Sequence, residues 1–415
     1  MEASDLVTSA KDAELEASRI AKALIILIVH DRCMAVFHLF RVYDKLNLLQ
    51  HNISERSMPI QARQVQSNKL EIIQILRAFA ALLVVVDHSL LTLIDRVSLD
   101  VWFREFAVAA GGFGVSLFFA ISGFIMVYTT YDKPRGAIAG WRFMLNRILR
   151  VVPLYWLCST IYLLKCLVEG KSFTMTEILK SYLFVPYLNP DGKFQPFYGL
   201  GWTLNYEMFF YLFFAATIMF SSRVASSLVF CAAFGLLFVF TDFAARQGVE
   251  LPDPVVFWGL PIILYFVFGV LIGLAYYKWP STQRLAVSSV SVIVILGAAF
   301  LALMTTAVAS GLVEEVVAPV LIAILMIVAV FGRVSNPEQR FWSAASKIGD
   351  ASFSIYLTHS FILGPVGRAW GLIGLDARHW LLFCVACAIL SIIVGLAMYK
   401  YVERPLGARL KKTFL

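Results

Sequence analysis

Charge is what this sequence has least of. Asp and Glu number 27 and Lys and Arg 35 in 415 residues, 15% together, against 60% hydrophobic. A water-soluble globular chain averages ~25% charged and ~45–50% apolar, so a soluble fold is excluded for most of the length. Cysteine is nearly as uninformative. Of six, Cys158, Cys166, Cys231, Cys384 and Cys387 fall in apolar runs, and Cys384-x-x-Cys387 lacks a second ligand pair. They read as small apolar residues, and neither a disulfide framework nor a metal site is expected. No internal repeat is evident and no soluble catalytic domain is attached, so any chemistry must take place among membrane helices. Ala23 to Val29 is too short to span a bilayer and is followed by no small-residue cleavage site. The net charge of +8 lies between apolar runs rather than in one patch, which excludes nucleic acid as the partner and points to membrane orientation.

What the chain does have is long apolar segments. Ten spans are predicted, at 70–93, 112–131, 148–168, 201–220, 224–241, 256–277, 285–306, 316–332, 348–368 and 381–402. The expected fold is therefore all-α, a polytopic membrane helix bundle of about ten transmembrane helices. With the side before Leu70 cytoplasmic, inner loops and tail carry about sixteen Lys and Arg against about eight outside. Lys133, Arg135, Lys278, Lys347, Arg409 and Lys412 belong to the inner set; Asp95, Asp242, Glu314 and Glu315 to the outer. Both termini are thus expected in the cytoplasm. Residues 1–68 read as an N-terminal extension, poorly ordered or forming an amphipathic helix over Ile20 to Leu49, with Met58 as an alternative start. Residues 69–406 form the membrane domain and 407–415 a basic tail. The segment 169–200, rich in Tyr and Pro, reads as a long outer loop dipping into the interface.

Ionisable groups inside spans are functional candidates by default. Leu70 to Leu93 contains Arg77 and His88, eleven positions apart. At ~100° per residue that is about three turns plus 20°, so both share a helix face, roughly 16 Å apart along the axis. An arginine there costs at least ~2.5 kcal/mol on insertion scales unless a partner or water-filled cavity offsets it. Glu207 lies at a similar outer depth to His88 and is expected to touch it if their spans are neighbours, fixing the tautomer of a base for a hydroxyl. The alternative for Glu207 is a counter-ion to an arginine such as Arg77. His359 falls near the middle of the ninth span, as a functional imidazole or an interhelical hydrogen bond. Asp87, beside His88, reads as exposed. On the cytoplasmic side Arg147 and Arg150 share a helix face and Arg142 precedes them by a little over a turn. Guanidinium forks suit phosphate oxygens, and ordinary positive-inside anchoring is the competing reading. Gly114, Ser122 and Gly123 suit close helix approach.

Taken in order, these stretches resemble the acyltransferase-3 family of bacterial membrane acyltransferases. The residues that carry the resemblance are Arg77-x10-His88, the GVSLFFAISGF segment, Arg147-Ile-Leu-Arg150-Val-Val-Pro153, Trp202-Thr-Leu-Asn-Tyr-Glu207, SFSIYLTH ending at His359, and Val402-Glu-Arg-Pro405. The wording GWTLNYEMFFYLFF looks most like the branch that modifies exopolysaccharides. The resemblance implies O-acyl transfer, usually acetyl, from cytoplasmic acyl-CoA to a sugar hydroxyl of a lipid-linked or exported glycan, in a bacterial inner membrane. It implies that Arg77 and His88 are essential, with Glu207 and His359 also expected at the catalytic centre. Arg142, Arg147 and Arg150 are expected on acetyl-CoA, with no metal. Ser116 departs from the family pattern, where an acidic residue often stands. A transporter or polysaccharide export component, with Arg, His and Glu lining a proton or substrate pathway, is the alternative from another class, and a scaffold in a polysaccharide synthase complex a third.

Overall fold

The computed structural model describes residues 60–220, 222–278, 285–306, 316–335, 339–373 and 377–415. Expectations for 1–59 lie outside the described residues. Almost all of what is described is helix, as the composition demands: backbone groups in hydrocarbon must satisfy one another within the segment. The main compact unit is Gln64–Gly407; a second, comprising 1–63 and 408–415, is described only at 60–63 and 408–415.

The first helix, α1 (Ile60–Ile94), begins ten residues before the predicted span. It is followed by α2 (Val101–Thr130), started by Asp100, whose side chain accepts from the Trp102 amide at 2.8 Å. Next comes α3 (Ala137–Val168), which carries Pro153 in its interior. A short α4 (Met175–Tyr182), opened by a Thr174–Glu177 capping box, lies in the expected outer loop. Beyond the turn Gly199–Gly201 lie α5 (Trp202–Thr217), α6 (Arg223–Arg246), α7 (Asp253–Trp258) and α8 (Ile263–Lys278). The remainder comprises α9 (Ser289–Thr306), α10 (Ala318–Phe331), α11 (Gln339–Asp350), α12 (Ser352–Thr358), α13 (Ser360–Leu372) and α14 (Trp380–Met398). A π turn at Tyr399–Glu403 then leads into α15 (Arg404–Phe414).

The all-α expectation holds apart from one short strand pair, while the count of about ten spans is matched only in part. The segments β1 (Leu285–Ser288) and β2 (Gly332–Ser335) pair in parallel, Leu285 opposite Gly332, at the edges of two predicted spans. Among the described residues, five helical segments are long and apolar enough to cross a bilayer: Ile72–Ile94, Val101–Thr130, Ala137–Val168, Arg223–Arg246 and Ala377–Phe414. Ile263–Lys278, Ser291–Thr305 and Ala318–Phe331 are apolar but shorter. The predicted span 348–368 is divided among α11, α12 and α13. Gly349 crosses α1 so closely that a methyl there would overlap the Gln74 carbonyl, and the helix is interrupted just after it, at Ala351.

Bare backbone brings the site helices together. A methyl at Gly114 of α2 would come 2.7 Å from the Ala80 carbonyl of α1. At Gly123 of α2 and Gly269 of α8 it would overlap the facing carbonyls of Phe266 and Ala120. Small residues let helices approach where lipid gives little drive to associate. Gly114 and Gly123 thus fill the packing role expected of them.

Candidate active site

The polar residues of α1, α2, α3, α5 and α12 converge on one open cavity of about 170 Å³, roughly ten times the room one water needs. Arg77 enters from α1, Ser122 from α2, Arg147 and Arg150 from α3, Glu207 and Tyr211 from α5, and Tyr356 from α12. The Arg77 Nη1 donates to Gln74 Oε1 at 2.9 Å, and Ser122 Oγ donates to Glu207 Oε1 at 3.1 Å. Arg147 lies 5.2 Å from the Phe143 ring centre and 5.3 Å from that of Tyr211, with Nη2 3.5 Å from Thr129 Oγ1. Such faces hold a guanidinium without neutralising it. The lining itself holds three guanidiniums and a single carboxylate, with Glu403 and Asp350 close enough to act on Arg77 and Arg150. The crowding extends to the loop before α3, where burial, and then Arg147, hold Lys133 below its ordinary range.

Arg142 does not line this cavity. At ~100° per residue it sits about 140° around α3 from Arg147, whereas Arg147 and Arg150 are about 60° apart. The expected grouping of three is therefore a pair joined by Arg77.

The two histidines form a second cluster. The His88 and His359 rings meet edge to face with centroids 5.0 Å apart. His88 Nδ1 is 3.0 Å from the Val84 carbonyl, and His359 Nδ1 is 2.6 Å from that of Tyr356. A carbonyl oxygen only accepts, so each Nδ1 carries hydrogen, and in the neutral ring the lone pair is then at Nε2. His359 is fully buried, and its Nε2 has no hydrogen-bond partner. His88 remains accessible, with 37% of its side chain exposed.

Glu207 was expected beside His88. Instead it faces Ser122 and the arginine cavity, and the carboxylate beside His88 is Asp87, 3.5 Å from Nδ1 and largely buried rather than exposed. Gly111 of α2 lies against Asp87 and Gly114 against Ala80, so Ser122, further along α2, brings Glu207 to the level of Arg77 rather than that of His88. Tyr356 connects the clusters: it lines the cavity, and its ring lies 6.1 Å from that of His359. Its hydroxyl is held by Thr203 Oγ1 at 2.8 Å and the Leu200 carbonyl at 2.9 Å. A sequence signal for part of this existed. Thr203, Glu207 and Tyr211 recur every fourth residue in a mostly apolar helix, a polar stripe that had to face something. Ser116, by contrast, is buried outside the cavity, and the free cysteines Cys158, Cys166, Cys384 and Cys387 are buried.

The acyltransferase-domain family matches residues 70–400. The "Exopolysaccharide production protein ExoZ" of Rhizobium meliloti (strain 1021) is 33% identical over 305 residues, which are 72% of this chain and 90% of that protein. No solved structure matches. The family match and the helical membrane core cover the same stretch of chain, and both clusters lie within it.

Proposed function

This chain belongs to the acyltransferase-3 family and is an O-acyltransferase with several apolar membrane-type helices; from that premise we propose that it moves an acetyl group from cytoplasmic acetyl-CoA to a hydroxyl of an exported or lipid-linked exopolysaccharide. The printed name of the similar ExoZ protein supports the exopolysaccharide as acceptor. Family membership favours a transferase over a transporter. One observation carries the site reading. A cavity lined by Arg77, Arg147, Arg150 and Glu207 adjoins, through Tyr356, an imidazole pair whose Nδ1 atoms are held by backbone carbonyls.

In this reading the protein crosses the bacterial inner membrane about ten times, with both termini cytoplasmic, which puts Arg147 and Arg150 at the cytoplasmic end. Their guanidiniums bind the donor's phosphates. Arg77, one helix over, binds the pantetheine arm of the donor as it passes from the phosphates toward His88, which lies roughly 16 Å further along α1. His88 Nε2 takes the proton of the acceptor hydroxyl. The hydroxyl oxygen bonds to the acyl carbon, the carbon–sulfur bond breaks, and the thiolate leaves and regains a proton from the imidazolium. Glu207, hydrogen-bonded to Ser122, shares with Glu403 and Asp350 the counter-charge that lets three guanidiniums occupy one cavity.

The test compares exopolysaccharide from a strain lacking this protein with that from strains carrying the parent chain or His88→Ala. Mass spectrometry is expected to show an acetyl increment restored by the parent and absent with His88→Ala at equal membrane abundance. Full acetylation by the variant would remove His88 as the base.

A further inference from the structure

Asp87 has no role in the mechanism above, yet its placement is costly. Only 13% of its side chain is exposed, and Oδ1 is buried without a hydrogen-bond partner. Burying a carboxylate oxygen unpaired opposes folding, so packing alone gives no reason for an acid here. The seat is nevertheless specific. Gly111 of α2 faces it, and a methyl at that position would overlap the carboxylate and come 2.9 Å from Asp87 Cβ. The charge lies beside a particular atom, with Oδ2 3.5 Å from His88 Nδ1. Because that nitrogen already donates to the Val84 carbonyl, the backbone fixes the tautomer and Asp87 contributes charge alone. The His359 ring, edge to face with that of His88 at 5.0 Å, contributes no negative charge.

We infer that Asp87 is a positioning residue for His88, a carboxylate seated against Gly111 whose charge stabilises the imidazolium formed when Nε2 accepts the hydroxyl proton. The step balances: the O–H bond breaks, an N–H bond forms at Nε2, and the electron pair stays on the oxygen that attacks the acyl carbon. While the proton is held, the ring is cationic and Asp87 is the carboxylate next to it. This inference rests on His88 acting as the base.

Asp87→Asn keeps the shape and removes the charge. In the purified protein, assayed with acetyl-CoA and its glycan acceptor and normalised to folded enzyme, kcat is expected to fall by at least about tenfold. That is a fraction of the ~10²–10⁴ contributed by a whole general base. KM for both substrates stays within about twofold, since a charge felt only by the imidazolium acts in the transition state. The midpoint of thermal unfolding stays level or rises, because an unpaired buried charge is gone. An unchanged kcat per folded enzyme overturns the inference, as does a lower unfolding midpoint that accounts for the whole loss. Gly111→Ala gives an independent reading. It is expected to lower kcat in the parent by displacing the carboxylate, and to cost little more in an Asp87→Ala background; independent, additive losses overturn the inference. His88→Ala, run alongside, separates the two failures: activity surviving in that variant removes the base itself rather than its support.

Discussion

Arg147 and Arg150 illustrate how a residue's chemistry depends on its neighbours. Two cations near the end of an apolar helix need no function beyond anchoring. Here both line a cavity that also holds Arg77 and Glu207, and Arg147 lies near the faces of Phe143 and Tyr211. A guanidinium held over aromatic rings keeps its donors for a ligand. Replacing both by Gln is therefore expected to raise KM for acetyl-CoA about tenfold or more, at ~1.5–3 kcal/mol for each hydrogen bond to a charged group. Steady-state titration of the donor checks this, and kcat at saturation is expected to fall much less. An unchanged donor KM would return both residues to anchoring. Arg142, on another face of the same helix, is expected to leave the donor KM unchanged when replaced.

At the level of helices, the site depends on backbones that nearly touch. α2 contributes Ser122 from one face and packs on α8 through Gly123 and Gly269, where a methyl would overlap a facing carbonyl. Neither carbonyl can yield without shifting a helix, so the contact behaves as an overpacked core rather than an adaptable one. Gly269→Ala is expected to destabilise the protein by about 1–3 kcal/mol, read as a lower midpoint of thermal unfolding in detergent. Gly297, where an added methyl meets nothing within 4 Å, is expected to accept alanine with little change. The junction of α12 and α13 matters for a different reason. His359 lies between them with φ −58° and ψ −37°, so the chain stays helical through it and directs Tyr356 to the cavity and His359 to His88.

For the molecule as a whole, the two clusters divide the labour of transfer. An electropositive cavity suits an anionic donor, and an imidazole pair beyond Tyr356 suits a hydroxyl acceptor. Ligand binding to the folded state alone stabilises it by mass action, about 2.7 kcal/mol at a hundredfold excess over Kd. Acetyl-CoA or CoA is therefore expected to raise the unfolding midpoint of the parent protein. The Arg147→Gln, Arg150→Gln variant is expected to lose most of that shift, and His88→Ala to keep it. No shift in the parent protein would show that the cavity does not take the donor.

Period and composition determined a good deal. Sixty per cent hydrophobic residues, with charges kept between the runs, left helices as the only solution, and the family-bearing segments named the chemistry. The spacing of Arg77 and His88 along one helix was legible because a regular helix turns fixed spacing into fixed geometry. Other features depended on helices far apart in sequence. Nothing in Glu207 says that it meets Ser122 rather than His88, and nothing in His359 says that its ring reaches His88. Nor does Asp87 disclose that Gly111 leaves it a buried seat. Helix azimuth is set by where bare glycine backbone lets two helices close, and that is decided jointly by residues that only tertiary packing brings face to face.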